Sequence, residues 1–166
     1  MLSFLKAYKK NDPSIKSYLE IIFLLPGPRA VFMHRIARVF YRVRLFFIAR
    51  LISEISRMLT GIEIHPGAKI GKNFVIDHGM GVVIGETSVV GDDCFVFHGV
   101  TLGGVEKVPG TRRHPLLKDG VVVGAGAKIL GAVTLEENVK VGAGAVVLSD
   151  CPKGATMVGM PAKNKS

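Results

Sequence analysis

His78, Arg113 and His114 are the side chains whose type and setting suit chemistry. His78 lies in Asp77-His78-Gly79-Met80-Gly81. An imidazole ionises near neutral pH and serves as a general base, best when a carboxylate fixes its tautomer and stabilises the cation it becomes. Glu63 lies fifteen residues earlier, roughly one coil of the repeat described below, and is the candidate carboxylate. Asp77 is adjacent in sequence, but successive side chains of a strand diverge. Arg113 and His114 stand together in a basic, Gly- and Pro-containing stretch, where a guanidinium fork can grip a carboxylate from two sides. The neighbouring Arg112 reads as a surface or phosphate-facing residue, His34 and His65 as structural, and His98 as able to face a cleft.

Other chemistries find little support. The histidines lack recognised metal-ligand spacing, so no metal is expected. There is no G-x-S-x-G elbow and no P-loop, and Gly79, Gly81 and Gly85 do not precede a helix as a dinucleotide fingerprint would. Cys94 and Cys151 are far apart and read as reduced, structural thiols. No apolar run approaches a signal core or a membrane span, so a cytoplasmic protein is expected. The net charge of +9 is dispersed. It accompanies no nucleic-acid-binding module and suits a small phosphorylated ligand equally well.

These side chains must be positioned by two kinds of element. Residues 1–60 form a helical region, with Ile15, Tyr18, Leu19 and Ile22 at helical spacing in Ser14–Leu25, a break at Pro26-Gly27-Pro28, and helices over Ala30–Arg44 and Leu45–Leu59. After Gly61 the period becomes six. Ile64, Ile70, Ile76 and Val82 form one register, Ile84, Val90, Val96 and Leu102 a second, and Val123, Ile129, Leu135, Val141 and Val147 a third. Each unit supplies a short parallel strand, an inward aliphatic residue and a tight corner, and three units close one turn of a triangular coil over residues 61–148. Small residues such as Gly71, Gly85, Gly91, Gly124 and Gly142 follow the aliphatic positions and are expected to supply strained corner angles. The repeat breaks twice: by a two-residue slip at Asp77–Gly81, and at Gly103–Asp119, expected as an extruded loop. Both breaks carry a histidine, and such loops often form the binding face. Residues 149–166 read as a closing segment.

Several runs resemble the serine O-acetyltransferases, a branch of the hexapeptide-repeat acyltransferases. They are Gly61–Gly71, Ile76–Thr87 with its DHG and GET runs, Val100–Gly104, Arg113-His114-Pro115, Val123–Gly131 and Gly159-Met160-Pro161-Ala162. The resemblance implies a mainly β fold, a left-handed parallel β-helix of hexapeptide repeats behind an N-terminal helical region. It implies transfer of the acetyl group of acetyl-CoA to the hydroxyl of L-serine, giving O-acetyl-L-serine and CoA, the first step of cysteine biosynthesis. His78 matches the catalytic base. Glu63 stands where most members have Asp. Asp12 and Asp77 match residues that hold the serine ammonium, and Arg113 and His114 the pair that binds its carboxylate end. Backbone N–H groups at Gly103 or Gly104 are expected at the oxyanion. Gly124, Ala125, Gly142 and Ala143 resemble the narrow wall along CoA, with Lys140 near its phosphates. A homotrimer is implied, with clefts between adjacent coils; a hexamer would use helices that longer members carry. The chain ends in Ser166 rather than the Ile that enters cysteine synthase, so that complex is not expected.

Other readings are a related acyltransferase acting on homoserine or a sugar, a non-enzymatic trimeric scaffold, and a carbonic-anhydrase-like coil with a histidine-bound metal. Asp12, Asp77 and Arg113 favour an amino-acid acceptor.

Overall fold

The computed structural model describes residues 2–105 and 110–159. Lys107 and Pro109 of the expected loop, and Met160–Ala162 of the closing motif, lie outside them. Four helices come first: α1 (Leu2–Asn11), α2 (Tyr18–Phe23), α3 (Pro26–Arg42) and α4 (Phe46–Thr60). The helix expected from Ser14 begins only at Tyr18. Asp12 instead closes a turn, its Oδ1 accepting the N–H (2.9 Å) and hydroxyl (2.6 Å) of Ser14, and Ser17 caps α2 by accepting the Leu19 N–H. Pro26 and Pro28 open α3, where the first turn has no partner for their missing N–H groups.

The β region is a triangular coil of parallel strands. One face carries β1 (Glu63–Ile64), β4 (Val83–Ile84), β7 (Thr101–Gly103), β10 (Lys128–Leu130) and β13 (Val146–Val147). The second carries β2 (Lys69–Ile70), β5 (Val89–Val90), β8 (Leu116–Leu117) and β11 (Thr134–Leu135). The third carries β3 (Val75–Ile76), β6 (Phe95–Val96), β9 (Val122–Val123), β12 (Lys140–Val141) and β14 (Thr156–Met157). Together with the helical region this is the expected left-handed β-helix. Three columns of inward side chains fill it: Ile64–Ile84–Leu102–Ile129–Val147, Ile70–Val90–Leu117–Leu135, and Ile76–Val96–Val123–Val141–Met157. Burying each such side chain is worth about 1.5–3 kcal/mol, so the columns dominate the stability of the coil.

The interruptions are local. Ile64 pairs with Ile84, a step of 20 where the next, Ile84 to Leu102, is 18; the extra residues lie in the corner holding His78. The second excursion is narrower than the expected 103–119. Gly103 still belongs to β7, and Leu117 resumes the column between Val90 and Leu135. Nor does pairing stop at residue 148, because Cys151 bridges to Leu135 and β14 pairs with β12. The glycines after the aliphatic positions serve a purpose other than strained angles. Their φ values are not positive; instead a Cβ on Gly71 would lie 2.5 Å from the Gly91 backbone, and one on Gly124 2.6 Å from Ala143 N, so coils approach too closely for a side chain. Positive φ falls later in the corners, as at Gly126 (69°).

The helices close the open edge of the first coil. The Ser53 hydroxyl donates to the Ile64 carbonyl (2.8 Å), Arg38 to the carbonyls of Gly67 (2.9 Å) and Ala68, and Arg35 to that of Gly71 (3.3 Å). The Tyr8 hydroxyl accepts the Ile76 N–H (3.0 Å). An exposed strand edge would otherwise present these groups to another chain. Ala30 and Val31 of α3 join the coil's apolar core.

His34 also faces that end of the coil. It is 3% exposed, and neither ring nitrogen has a hydrogen-bond partner among the described residues. Burial, followed by the nearby Arg38 and Arg35 charges, depresses its pKa from 6.5 to about 4. Between those values the unfolded chain binds the proton that the folded chain refuses. Stability is therefore unaffected by this group above pH 6.5 and falls as pH drops toward 4, by about 3 kcal/mol in total. Urea unfolding across pH 4–7 should show this loss in the natural chain and a flatter profile in His34→Leu; parallel profiles would contradict it.

Candidate active site

Two corners of the coil carry the candidate residues. The corner between the β3 and β1 faces holds Asp77 and His78. His78 has φ 57°, an uncommon conformation for a side chain other than Gly or Asn, and its imidazole is largely exposed. Gly79 follows with φ 74°, and a Cβ there would strike Ile62 Cδ1 at 2.4 Å. The two extra residues thus push the His78 ring outward while Ile62 seals the prism beneath. Asp12, Asp77 and His78 line one pocket of about 190 Å³, walled by Tyr8, Ile15 and Phe95. Ser14, through its hydroxyl and then its N–H, holds the Asp12 carboxyl below the ordinary range, so this pocket presents a firmly ionised acid.

The carboxylate beside His78 is Asp77, with Oδ2 3.7 Å from Nε2. The Glu63–His78 contact expected from a one-coil offset is not formed within the chain. The slip lengthens that coil, so Glu63 pairs with Val83 on the β1 face and His78 falls in the corner before it. The Glu63 carboxylate turns to Arg57 at the end of α4 (3.7 Å).

Below His78 the same corner continues coil by coil. His98 lies next, its ring centroid 5.9 Å from that of His78. Gly124 and Ala125 follow, then Gly142 and Ala143, as the bonds Asp77 N to Val96 O, Phe97 N to Val123 O and Gly124 N to Val141 O require. Gly124 is dictated by packing, whereas Cβ atoms on Gly126 and Gly144 would meet nothing within 4 Å. The edge is therefore a narrow track open on one side, fit for an extended ligand. Lys140 is exposed on the β3 face of the lower coils.

Arg113 and His114 occupy a different corner, between the β1 and β2 faces. Gly104 lies there too: a Cβ on it would come 3.1 Å from the Arg113 carbonyl and 3.2 Å from His114 Nε2. Gly103 is committed to β7, its carbonyl accepting from Gly131. Gly103, the last residue of β7, and Gly104 after it thus lie at the edge of the β1 face opposite the Gly124–Ala143 track.

Thr87 organises this corner. Its Oγ1 accepts the N–H groups of Arg113 (3.0 Å) and His114 (3.1 Å) and lies 2.9 Å from His114 Nδ1. The Thr87 N–H also points at Nδ1 (3.2 Å), which makes Nδ1 the acceptor and leaves the proton on Nε2. Burial, reinforced by Arg113, lowers the His114 pKa, which favours this neutral donor form. Gly85 gives the ring room, since a Cβ there would be 2.0 Å from Cδ2. Arg112 is exposed, as expected, but its guanidinium is occupied within the chain. It ties the excursion to the next coil, donating to the carbonyls of Ala132 (2.7 Å), Val133 (3.0 Å) and His114 (3.2 Å). Sequence reasoning missed Tyr8, Thr87 and this role of Arg112. Of these only Thr87 carried a signal, a hydroxyl in the GET run beside a small-residue corner. Among the described residues, no group of three or more His, Cys, Asp or Glu is placed to hold a metal ion, and no helix is long and apolar enough to cross a membrane.

Residues 114–149 match the bacterial transferase hexapeptide (six repeats) family model. A serine acetyltransferase of Helicobacter pylori is 54% identical over 154 residues, 93% of this chain and 90% of the relative. The chain belongs to the serine acetyltransferase family. Among solved structures, the Neisseria gonorrhoeae serine acetyltransferase in complex with serine superposes with a TM-score of 0.90 at 40% identity, over 98% of this chain and 66% of that one. The Brucella abortus serine acetyltransferase in complex with coenzyme A gives 0.90 at 37% identity, over 97% and 64%. The chain thus spans just under two thirds of those two serine acetyltransferases.

Replacing Thr87 by Val keeps the shape but leaves two N–H groups without their acceptor. Thr87→Val should lose about 1–3 kcal/mol of stability and Thr87→Ser much less, as read from urea midpoints. Equal stability of the Val variant and the natural chain would contradict this role.

Proposed function

We propose that the chain transfers the acetyl group of acetyl-CoA to the hydroxyl of L-serine, giving O-acetyl-L-serine and CoA. One observation carries the residue-level reading: a slip in the coil forces His78 outward into the pocket that Asp12 and Asp77 line. Two carboxylates suit the acceptor's ammonium group. His78 takes the proton of the hydroxyl as its oxygen attacks the thioester, and the imidazolium returns that proton to the leaving CoA thiolate. Direct transfer needs no acyl-enzyme. Asp77 stands ready to stabilise the imidazolium, and Glu63 can join it if its tie to Arg57 yields when the cleft is complete.

Arg113 and His114 bind the acceptor's carboxylate end, the arginine through its fork and His114 through its Nε2–H. They sit one face away from His78, so a complete site takes His78 from one chain and this pair from the next. A chain with two unlike half-sites on adjacent corners associates head to tail and closes as a ring, here proposed as a trimer. Acetyl-CoA then lies along the Gly124–Ala143 track, its phosphates toward Lys140, with Gly103 and Gly104 of the neighbour near the oxyanion. A cytoplasmic location accords with a family that uses acetyl-CoA.

His78→Asn tests the base while keeping a residue that tolerates positive φ. With L-serine and acetyl-CoA, CoA release should fall about 10²–10⁴-fold, with the melting temperature little changed. Near-normal turnover, or release with homoserine in preference to L-serine, would overturn the assignment.

A further inference from the structure

Glu86 lies at the Arg113 corner, one coil above the arginine, and no part of the mechanism above uses it. Its two carboxylate oxygens have different partners. Oε1 accepts the Tyr41 hydroxyl (2.9 Å), and Oε2 accepts Arg113 Nη2 (3.1 Å). Tyr41 is in the last turn of α3 and is wedged edge-on between Phe46 (5.1 Å between centroids) and His65 (5.8 Å). The Glu86 stem is confined as well, for a Cβ on Gly67 in the coil above would lie 3.1 Å from its Cγ. The Tyr41 hydroxyl and then Arg113 hold the Glu86 carboxyl below its ordinary range, so it remains an anion.

Arg113 is thereby fixed at both ends. Thr87 holds its backbone, and Glu86 holds one guanidinium nitrogen, while Nε and Nη1 have no hydrogen-bond partner among the described residues. We propose that Glu86, braced by Tyr41, is a positioning residue that pre-orders the Arg113 guanidinium for the acceptor's carboxylate. The inference rests on the carboxylate-binding reading of Arg113 given above. Holding a flexible arginine in its binding rotamer before the acceptor arrives removes an ordering cost from binding. A competing view is that Glu86 only neutralises Arg113. The two views differ in sign: if Glu86 positions, its removal weakens acceptor binding, and if it merely competes for the guanidinium, its removal strengthens it.

The test compares Glu86→Gln, Tyr41→Phe, Arg113→Ala and the Glu86→Gln/Arg113→Ala double variant. The readouts are KM for L-serine, KM for acetyl-CoA, kcat and melting temperature. Glu86→Gln should raise the L-serine KM about threefold to tenfold, with the acetyl-CoA KM and kcat nearly unchanged. Tyr41→Phe, which keeps the ring packing, should raise it about twofold. In the Arg113→Ala background, Glu86→Gln should add nothing. An unchanged or lower L-serine KM in Glu86→Gln, with Arg113→Ala still raising it, overturns the positioning role and leaves the Arg113 reading standing. An unchanged L-serine KM in Arg113→Ala overturns that reading and this inference with it. Equal rises in both KM values count against positioning, and if Glu86→Gln does not fold, Tyr41→Phe decides alone.

Discussion

Each short strand of the coil must bury one aliphatic side chain against its equivalents above and below. Parallel strands stack at about 4.8 Å, so Leu102 is held between Ile84 and Ile129, and Val123 between Val96 and Val141. With the inward residue fixed, the residues after it are fixed at the corner. A chain that departs from the period must therefore do so outward and rejoin in register. Both departures obey this rule. The extra residues at His78 leave Ile84 in its column, and the longer excursion ending at Arg113 and His114 leaves Leu117 in its own. The candidate chemistry sits where the period fails because only there can side chains leave the prism without opening its core.

The aliphatic period was legible because it is a property of single positions. Counting phases Ile64 through Val147 except at Val82, which precedes β4 while Ile84 takes the column position, and the two breaks show as failures of the count. What could not be counted was the third dimension at a break. Glu63 looked one coil from His78 on an eighteen-residue coil, yet the slip makes that coil longer and turns the Glu63 carboxylate toward Arg57 of a helix. Arg112 resembled a solvated charge because its acceptors are backbone carbonyls of the following coil, which have no residue-type signature. Thr87 offers only its hydroxyl as a signal, and the two N–H groups that it satisfies cannot be read from residue types. The repeat marks Gly71 and Gly124 as required, but spacing alone does not tell a need for backbone angle from close approach between coils. Apolar spacing predicts a helix from Ser14, but the Asp12–Ser14 turn competes locally with helix and α2 starts at Tyr18.

The helices do two jobs at once. They end the coil, supplying Ser53, Arg38, Arg35 and Tyr8 to edge groups that no further coil would satisfy. They also bring chemistry to each corner: the α1–α2 connection places Asp12 in the His78 pocket, and α3 places Tyr41 against Glu86. The first-coil cap is therefore joined to both candidate corners, although these lie on different edges of the coil.

The proposed site takes the His78 corner from one chain and the Arg113–His114 corner from another. Co-assembling His78→Asn chains with Arg113→Ala chains tests it directly, because each variant alone spoils every junction while a mixed assembly contains junctions with both corners intact. Assayed at low L-serine, the mixture should recover about a quarter of natural activity, the statistical share of intact junctions in a closed head-to-tail ring. Activity no greater than the sum of the two separate variants, in assemblies shown to be mixed, would place the whole site within a single chain and rule out a site shared between chains.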